Sequence, residues 1–252
     1  MVNKKITAAI FCLSVSSLTA NADELIVSAA ASLNNAFNEI GQKFEATHPN
    51  DKVLFNFAAS GTLLQQMAKG APVDVFASAD QETMNQAEQK KLIVDNSRKN
   101  FTQNTLVIIA PTQSTLSFNG LTDLDSEAIK RIAVGNPTSV PAGRYTQEAL
   151  EQTKQWQALQ SKYIYTQNVR QALDYVARQE VDIGFVYGSD AAIMKDKVKV
   201  LFTVPLKTPV TYPIAQLKDS KHSQLANEFI DFILSKEGQQ ILDNYGFSTI
   251  KP

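Results

Sequence analysis

Short apolar runs alternate along the chain with segments in which apolar residues recur every three or four positions. Residues Leu25–Ala29 form a nearly continuous apolar run, which is typical of a strand buried in a parallel sheet. From Leu33 to Phe44 the apolar residues follow steps of three and four, which predicts an amphipathic helix that ends before Pro49. The first elements are therefore a strand and a helix.

The same alternation continues to the end of the chain, with no fixed-period repeat. Further strands are predicted at Val53–Ala58, Val73–Ala77, Thr105–Ala110, Arg131–Gly135, Ile183–Tyr187, Val198–Val204 and Val210–Leu217. Further helices are predicted around Leu63–Ala68, Asp80–Lys91, Ala142–Thr153, Val169–Ala177, Leu225–Ile233 and Ile241–Tyr245. Alternating strands and helices predict an α/β fold built on mostly parallel sheets.

The length of 252 residues, with 44% hydrophobic residues, favours two lobes over one. No stretch rich in Pro, Gly and Ser separates the halves, which favours a hinge of crossing strands over a flexible linker. We predict a first lobe from residues 23–106 and 217–252, and a second lobe from residues 107–216.

Residues 1–22 have the features of a cleaved export signal. Lys4 and Lys5 precede an apolar stretch at Ile6–Leu18, and Ala20-Asn21-Ala22 is a small-residue cleavage site. A short membrane anchor is the alternative, although this stretch is brief for a bilayer span. Cleavage after Ala22 would remove Cys12 and leave a periplasmic chain without thiols.

Composition and motifs exclude several classes of function. The 24 Lys and Arg residues balance 25 Asp and Glu residues, which argues against a nucleic-acid partner. The single cysteine excludes a disulfide framework and a cysteine-based zinc site. His48 and His222 lie beside loops, and the sequence contains no phosphate-binding loop, dinucleotide fingerprint or nucleophile elbow. We therefore do not expect an enzyme or a free metal ion.

The candidate chemistry lies where predicted strands end and helices begin. Small residues surround Ser32, Ser60, Ala142 and Val169 at four such junctions, and a fifth strand ends at Tyr187. A helix start offers unpaired N–H groups and about half of a positive charge, so four converging starts would present roughly +2. Such a site would suit a doubly charged anion without any Lys or Arg.

Several segments together resemble the periplasmic molybdate-binding proteins of ABC transporters. The resemblance covers essentially the whole chain after the signal, and its specificity comes from the set rather than from any one segment. The segments are AAASLNNAF (29–37), FAASGTLLQQ (57–66), GAPVDVFASAD (70–80), AVGNPTSVPAGRY (133–145), NVRQAL (168–173), GFVYGSDA (184–191) and YGF (245–247).

This resemblance implies a type II-like, two-lobed periplasmic binding protein that closes on a tetrahedral oxyanion, molybdate or tungstate. It implies hydroxyl and backbone donors from Ser32 and Ser60, backbone donors at Ala142 and Val169, and a hydroxyl donor from Tyr187. It implies no separate cofactor, a monomer, and delivery of the anion to an ABC permease for import. Asn168 stands where relatives often carry Asp, and Gly61 where some carry serine; neither position is a mapped ligand.

Other interpretations remain open at this stage. A receptor for sulfate or thiosulfate would use the same donors, because sulfate has the same charge and shape as molybdate. An exported hydrolase with a carboxylate pair, or an exported structural domain, is also compatible with the composition. Arg144 and Arg170 either add positive potential near the anion or, as we expect, point to solvent or to carboxylates between the lobes. Asp80 and Asp190 are expected to cap helices.

Overall fold

The computed structural model of the chain describes residues 23–250, so the predicted signal at 1–22 lies outside the described residues. Ten strands are present in this range: β1 (Glu24–Ala30), β2 (Lys52–Ala58), β3 (Val75–Ala77), β4 (Lys99–Asn104), β5 (Leu106–Pro111), β6 (Ile132–Gly135), β7 (Tyr163–Thr166), β8 (Ile183–Tyr187), β9 (Val198–Thr203) and β10 (Val210–Gln216). Eight α-helices accompany them: α1 (Asn34–Thr47), α2 (Ser60–Ala68), α3 (Gln81–Gln89), α4 (Pro141–Gln152), α5 (Val169–Ala177), α6 (Gly188–Ile193), α7 (Ser223–Leu234) and α8 (Lys236–Asn244).

The first lobe is built on a five-stranded sheet in the order β2-β1-β3-β10-β4. Strand β1 lies between β2 and β3 and runs parallel to both, whereas β10 runs antiparallel to its two neighbours. Four strands therefore point in one direction and one is reversed. Leu25, Val27 and Ala29 of β1 are fully buried, as the continuous apolar run predicts.

The second lobe repeats this plan in the order β7-β6-β8-β5-β9. Here β6 runs parallel to β7 and β8, and β5 is the reversed strand, antiparallel to β8 and β9. Both sheets are thus mixed, each with two parallel and two antiparallel strand pairings, and helices pack against them. The predicted two-lobed α/β fold is confirmed.

The chain crosses between the sheets twice. Thr105 joins β4 of the first sheet to β5 of the second, and residues 204–209 return from β9 to β10. Thr105 begins the strand predicted at Thr105–Ala110, and residues 204–209 precede the strand predicted at Val210–Leu217. The predicted lobe boundary is wrong on the return, because Val210–Gln216 was assigned to the second lobe and pairs instead with β3 and β4 of the first.

Two strands were not predicted, and both lie at the edge of a sheet. Residues 99–104 (KNFTQN) form the edge strand β4, and residues 163–166 (YIYT) form the edge strand β7. β4 is mostly polar, and β7 is only four residues long with its two middle residues exposed, so neither presents an extended apolar run. Hydrogen bonding to a neighbouring strand, which a local pattern does not reveal, supplies their stability.

The helices bury their apolar stripes against the sheets. Phe37, Ile40 and Phe44 of α1 are fully buried, and the rings of Phe37 and Phe44 meet that of Phe229 on α7 edge-on. This aromatic cluster fastens the C-terminal helix α7 to the first lobe. Across residues 23–250, no helix is both long enough and apolar enough to span a bilayer.

A close glycine contact holds the start of α4 against the end of β6. A Cβ atom at Gly143 would collide with the carbonyl oxygen of Gly135, and one at Gly135 would press into the side chain of Val140. The backbone of α4 can therefore approach the strand only because both positions lack a side chain. This contact places the first turn of α4 at the cleft between the lobes.

We predict that Gly143→Ala lowers the free energy of unfolding by roughly 1–3 kcal/mol, because the added methyl group must displace backbone rather than a flexible side chain. Urea denaturation followed by circular dichroism measures this. Gly120→Ala is the matched control, since its Cβ would meet only Thr122 Oγ1 at 3.9 Å. Equal stability of the two variants would show that the contact is not required.

Candidate ligand-binding site

The structure brings the five predicted site residues together around one cavity between the lobes. Ser32 and Ser60 approach it from the first lobe, and Ala142, Val169 and Tyr187 from the second. The remaining lining consists of small or uncharged residues: Ala30, Ala31, Ala58, Ala59, Ala79, Val140, Pro141 and Asn168. No Lys, Arg, Asp, Glu or His lies in this lining.

The cavity is small and lies beside a wider cleft. Its volume is about 10 Å³, which is about the room that one buried water needs. The neighbouring cleft, lined in part by Thr62, Asn136 and Tyr165, has a volume of about 340 Å³. The inner cavity is therefore far smaller than a site for a sugar or a peptide.

The first lobe contributes two buried serines that each follow a strand. Ser32 lies in a short 3₁₀ turn between β1 and α1, and Ser60 is the first residue of α2. The amide N–H of Ala79 donates to Ser60 Oγ over 3.0 Å. The hydroxyl hydrogen of Ser60 has no acceptor among the described residues and is available to donate into the cavity.

The second lobe contributes the first turns of two helices. Pro141 is the first residue of α4 and has no N–H group, so Ala142 supplies the first free donor of that helix. Asn168 caps α5 by accepting from the N–H of Gln171 at 3.0 Å, and Val169 is the first residue of that helix. N–H groups in a first helical turn have no acceptor within the helix. Both helix starts therefore direct donors at the cavity.

Tyr187 ends β8 and is 1% exposed. Its hydroxyl is buried and has no hydrogen-bond partner among the described residues. Burial raises the pKa of Tyr187 well above the usual value for a tyrosine, so the hydroxyl keeps its hydrogen. An unpaired buried hydroxyl costs about 1–3 kcal/mol. A ligand oxygen in the cavity that accepts a hydrogen bond from Tyr187 would therefore remove this cost.

Arg144 joins the second lobe to the first. Its Nε and Nη2 donate to Asp80 Oδ2 at 2.8 and 2.6 Å, and Nη2 also donates to Thr83 Oγ1 at 2.7 Å. On its own lobe, Nη1 donates to the carbonyl oxygen of Pro137 at 3.1 Å. Asp80 also accepts from the N–H of Thr83 and so caps α3, as predicted.

Arg170 forms a second connection beside the cavity. Its Nε lies 2.6 Å from Oδ1 of Asp190, which is fully buried in the same lobe. Its Nη1 and Nη2 reach across to Asn35 Oδ1 at 2.8 Å and to the carbonyl oxygen of Ser32 at 3.1 Å. Burial raises the pKa of Asp190, and the adjacent guanidinium of Arg170 opposes that rise.

The expectation of a carboxylate partner between the lobes is confirmed for Arg144 and not for Arg170. The partner of Arg144 lies across the cleft, whereas the partner of Arg170 lies in its own lobe, and only its other nitrogens bridge the lobes. Neither side chain lines the cavity. The N–H of Gly61 also donates across the cleft, to the carbonyl oxygen of Ser139 at 3.0 Å.

Two residues around the site were not predicted from the sequence. Tyr212 on β10 places its hydroxyl 2.9 Å from Ser32 Oγ, and Asn104 at the end of β4 places Nδ2 3.4 Å from the same hydroxyl. Both are buried. Tyr212 is separated from Ser32 by 180 residues, so no local pattern could have linked them.

The two histidines lie away from the cavity. His48 stacks on Phe44 with a ring separation of 4.0 Å and pairs with Glu228, and His222 lies near Asp23. The described residues contain no cluster of three or more His, Cys, Asp or Glu that could hold a metal ion.

Comparison with known proteins gives consistent findings. The molybdate-binding protein ModA of Escherichia coli (strain K12) is 38% identical over 238 residues, covering 92% of this chain and 91% of that protein. ModA of Haemophilus influenzae is 32% identical over 250 residues, covering 97% of each. The periplasmic molybdate-binding protein of Azotobacter vinelandii has the same fold, with a TM-score of 0.80 at 20% identity, covering 90% of this chain and 100% of that chain.

A family model described as bacterial extracellular solute-binding protein matches residues 25–248, nearly the whole described range. The structure agrees with that match, because two sheets with the same arrangement of strands are joined by two crossings and enclose a cavity between them. The chain belongs to the family of bacterial extracellular solute-binding proteins.

Proposed function

We propose that this protein binds molybdate, and tungstate as its close analogue, in the cavity between the lobes, and delivers it to an ABC permease for import. The observation that carries the proposal is a small buried cavity whose polar lining consists of uncharged donors, one of them the unpaired hydroxyl of Tyr187. The identity of relatives named for molybdate binding supports the choice of anion.

The donor set suits a doubly negative ligand. Burial of an anion costs several kcal/mol or more of hydration free energy, unless hydrogen bonds to its oxygens compensate for the lost water. Ser32, Ser60 and Tyr187 supply hydroxyl donors, and the starts of α4 and α5 supply N–H groups with a positive end of the helix dipole. These groups are fixed by the sheets, so little ordering is required when the ligand binds.

The same set discriminates by protonation. Molybdate and sulfate carry no hydrogen at neutral pH, whereas hydrogen phosphate does and needs an acceptor. The N–H of Ala79 occupies one lone pair of Ser60 Oγ, and the Ser60 hydrogen has no acceptor among the described residues, so this side of the cavity favours a ligand oxygen that accepts. We therefore expect hydrogen phosphate to be rejected. Sulfate differs from molybdate mainly in size, so cavity dimensions must separate the two.

Binding of the ligand between the lobes also accounts for the two-lobed fold. A ligand held by donors from both lobes binds the closed form better than the open form and shifts the equilibrium towards closure. Rotation about Thr105 and residues 204–209 would open and close the lobes, and the closed form would dock on the permease. In this proposal the protein is a monomeric periplasmic receptor exported by residues 1–22, and not an enzyme.

Titration calorimetry of the purified protein with sodium molybdate is the primary test. We expect saturable binding at micromolar concentration or below, weaker binding of sulfate, and no heat from phosphate at the same concentration. Absence of binding to molybdate would overturn the proposal. Displacement of molybdate by equimolar sulfate would assign the receptor to sulfate instead.

We predict that Tyr187→Phe has opposite effects on binding and stability. The free energy of molybdate binding should become less favourable by roughly 1–3 kcal/mol, because one hydrogen bond to a buried anion is lost. The ligand-free protein should become slightly more stable, because an unpaired buried hydroxyl is removed. Calorimetry and thermal melting measure the two effects, and unchanged affinity would remove Tyr187 from the site.

We predict that Arg144→Gln weakens molybdate binding by roughly three- to tenfold, because a partly exposed ion pair that stabilises the closed form contributes about 1 kcal/mol. Arg98→Gln is the matched control, since Arg98 pairs with Glu88 at 2.7 Å within the first lobe. Small-angle scattering should show a larger radius of gyration only for ligand-free Arg144→Gln. Equal effects of the two variants would contradict a role in closure.

A further inference from the structure

A buried chain of polar groups leads to Ser32 from behind the cavity. The hydroxyl of Tyr212 lies 2.9 Å from Ser32 Oγ, and Nδ2 of Asn104 lies 3.4 Å from the Tyr212 hydroxyl. Neither Tyr212 nor Asn104 lines the cavity. The hydrogen bond between Tyr212 and Ser32 is therefore a direct route by which this polar chain could influence a ligand.

The orientation of the Asn104 amide is fixed by its neighbours. Its Oδ1 accepts from the N–H of Thr105 at 2.9 Å and from the N–H of Ser189 at 3.3 Å. Nδ2 consequently faces the oxygens of Ser189 and Tyr212, to which it donates. An amide nitrogen has no acceptor capacity, so the oxygen of Tyr212 must accept in this contact.

The direction of the next hydrogen bond follows. A tyrosine hydroxyl carries one hydrogen, and burial raises the pKa of Tyr212 well above its usual value, which keeps that hydrogen in place. Of the two described partners of this hydroxyl, Asn104 Nδ2 cannot accept, so the hydrogen of Tyr212 is satisfied by donation to Ser32 Oγ. The oxygen of Ser32 then acts as the acceptor, and the hydrogen of Ser32 is left for the cavity.

We propose that Tyr212 and Asn104 are positioning residues that hold Ser32 as a hydrogen donor and thereby set the preference of the site for fully deprotonated oxyanions. Ala79 does the same for Ser60 through a backbone N–H, which no substitution short of proline removes. Tyr212 is thus the point at which a side-chain change can alter the hydrogen-donor character of the cavity. This inference rests on the proposed oxyanion-binding function.

The structure favours a specific effect of Tyr212→Phe over a general loss of packing. The ring of Tyr212 lies among the rings of Phe101, Tyr187 and Phe247, with centroid separations of 6.2, 5.8 and 5.6 Å. Phenylalanine keeps all three contacts and removes only the hydroxyl. Ser32 Oγ would then be free to rotate and to accept a hydrogen bond from a protonated ligand.

A double-mutant cycle tests whether Tyr212 acts through Ser32. Calorimetry with molybdate and with phosphate is performed on the full chain, on Tyr212→Phe, on Ser32→Ala and on the double variant. We expect Tyr212→Phe alone to weaken molybdate binding roughly 3- to 10-fold, since a freed hydroxyl has about three staggered orientations. The preference for molybdate over phosphate should fall as well. In the Ser32→Ala background, Tyr212→Phe should change neither quantity by more than about twofold.

Tyr163→Phe is the matched control, because it removes a buried hydroxyl that bonds to the carbonyl oxygen of Trp156. It should lower stability without changing anion preference. If Tyr212→Phe does not fold, Asn104→Asp replaces it in the same cycle. A carboxylate accepts from Tyr212 and reverses the chain, and the cycle cancels the general effect of the added charge.

The outcomes separate the two proposals. Equal losses from Tyr212→Phe with and without Ser32→Ala, in a protein that binds molybdate, would overturn the positioning role alone. An unchanged preference for molybdate over phosphate would also overturn it. If the unaltered protein binds no molybdate, the proposed function fails, and the inference fails with it.

Discussion

The hydrogen bonding of buried helix starts is the constraint on which the site depends. A helix leaves its first N–H groups without partners, and such groups are costly when they are removed from water. Here α2, α4 and α5 begin at one enclosed space between two sheets. Parallel strands produce this arrangement, because their carboxyl ends lie at the same edge of each sheet. The fold thereby concentrates donors where the lobes meet.

Charged residues are placed around this space and not within it. Arg144 and Arg170 each pair with a carboxylate, so that their charges are balanced before any ligand arrives. Both also reach across to the first lobe and tie the closed arrangement together. Attraction between the lobes is therefore supplied by the surrounding residues, while the cavity itself stays neutral. Substitutions of the surrounding residues can therefore alter closure of the lobes, whereas substitutions in the cavity lining can alter ligand selectivity.

Local sequence patterns were sufficient for the junctions but not for the long-range pairings. Ser32, Ser60, Ala142, Val169 and Tyr187 could be proposed because each stands at a strand end, and both the alternation and the family resemblance mark those positions. The lobe of β10 was misassigned, because an apolar run does not specify which sheet it joins. The edge strands β4 and β7 were missed for lack of a continuous apolar pattern.

The order in which the chain is made has a consequence for how the lobes form. The second sheet comes from one continuous stretch, β5 to β9, and all its contacts are complete once that stretch exists. The first sheet is different, since β10 must insert between β3 and β4 before β4 gains a strand partner. A nascent chain can therefore complete the second lobe before β10, the last strand of the first lobe, has been made. The last elements to be made, helices α7 and α8, then pack against α1, the first α-helix of the chain.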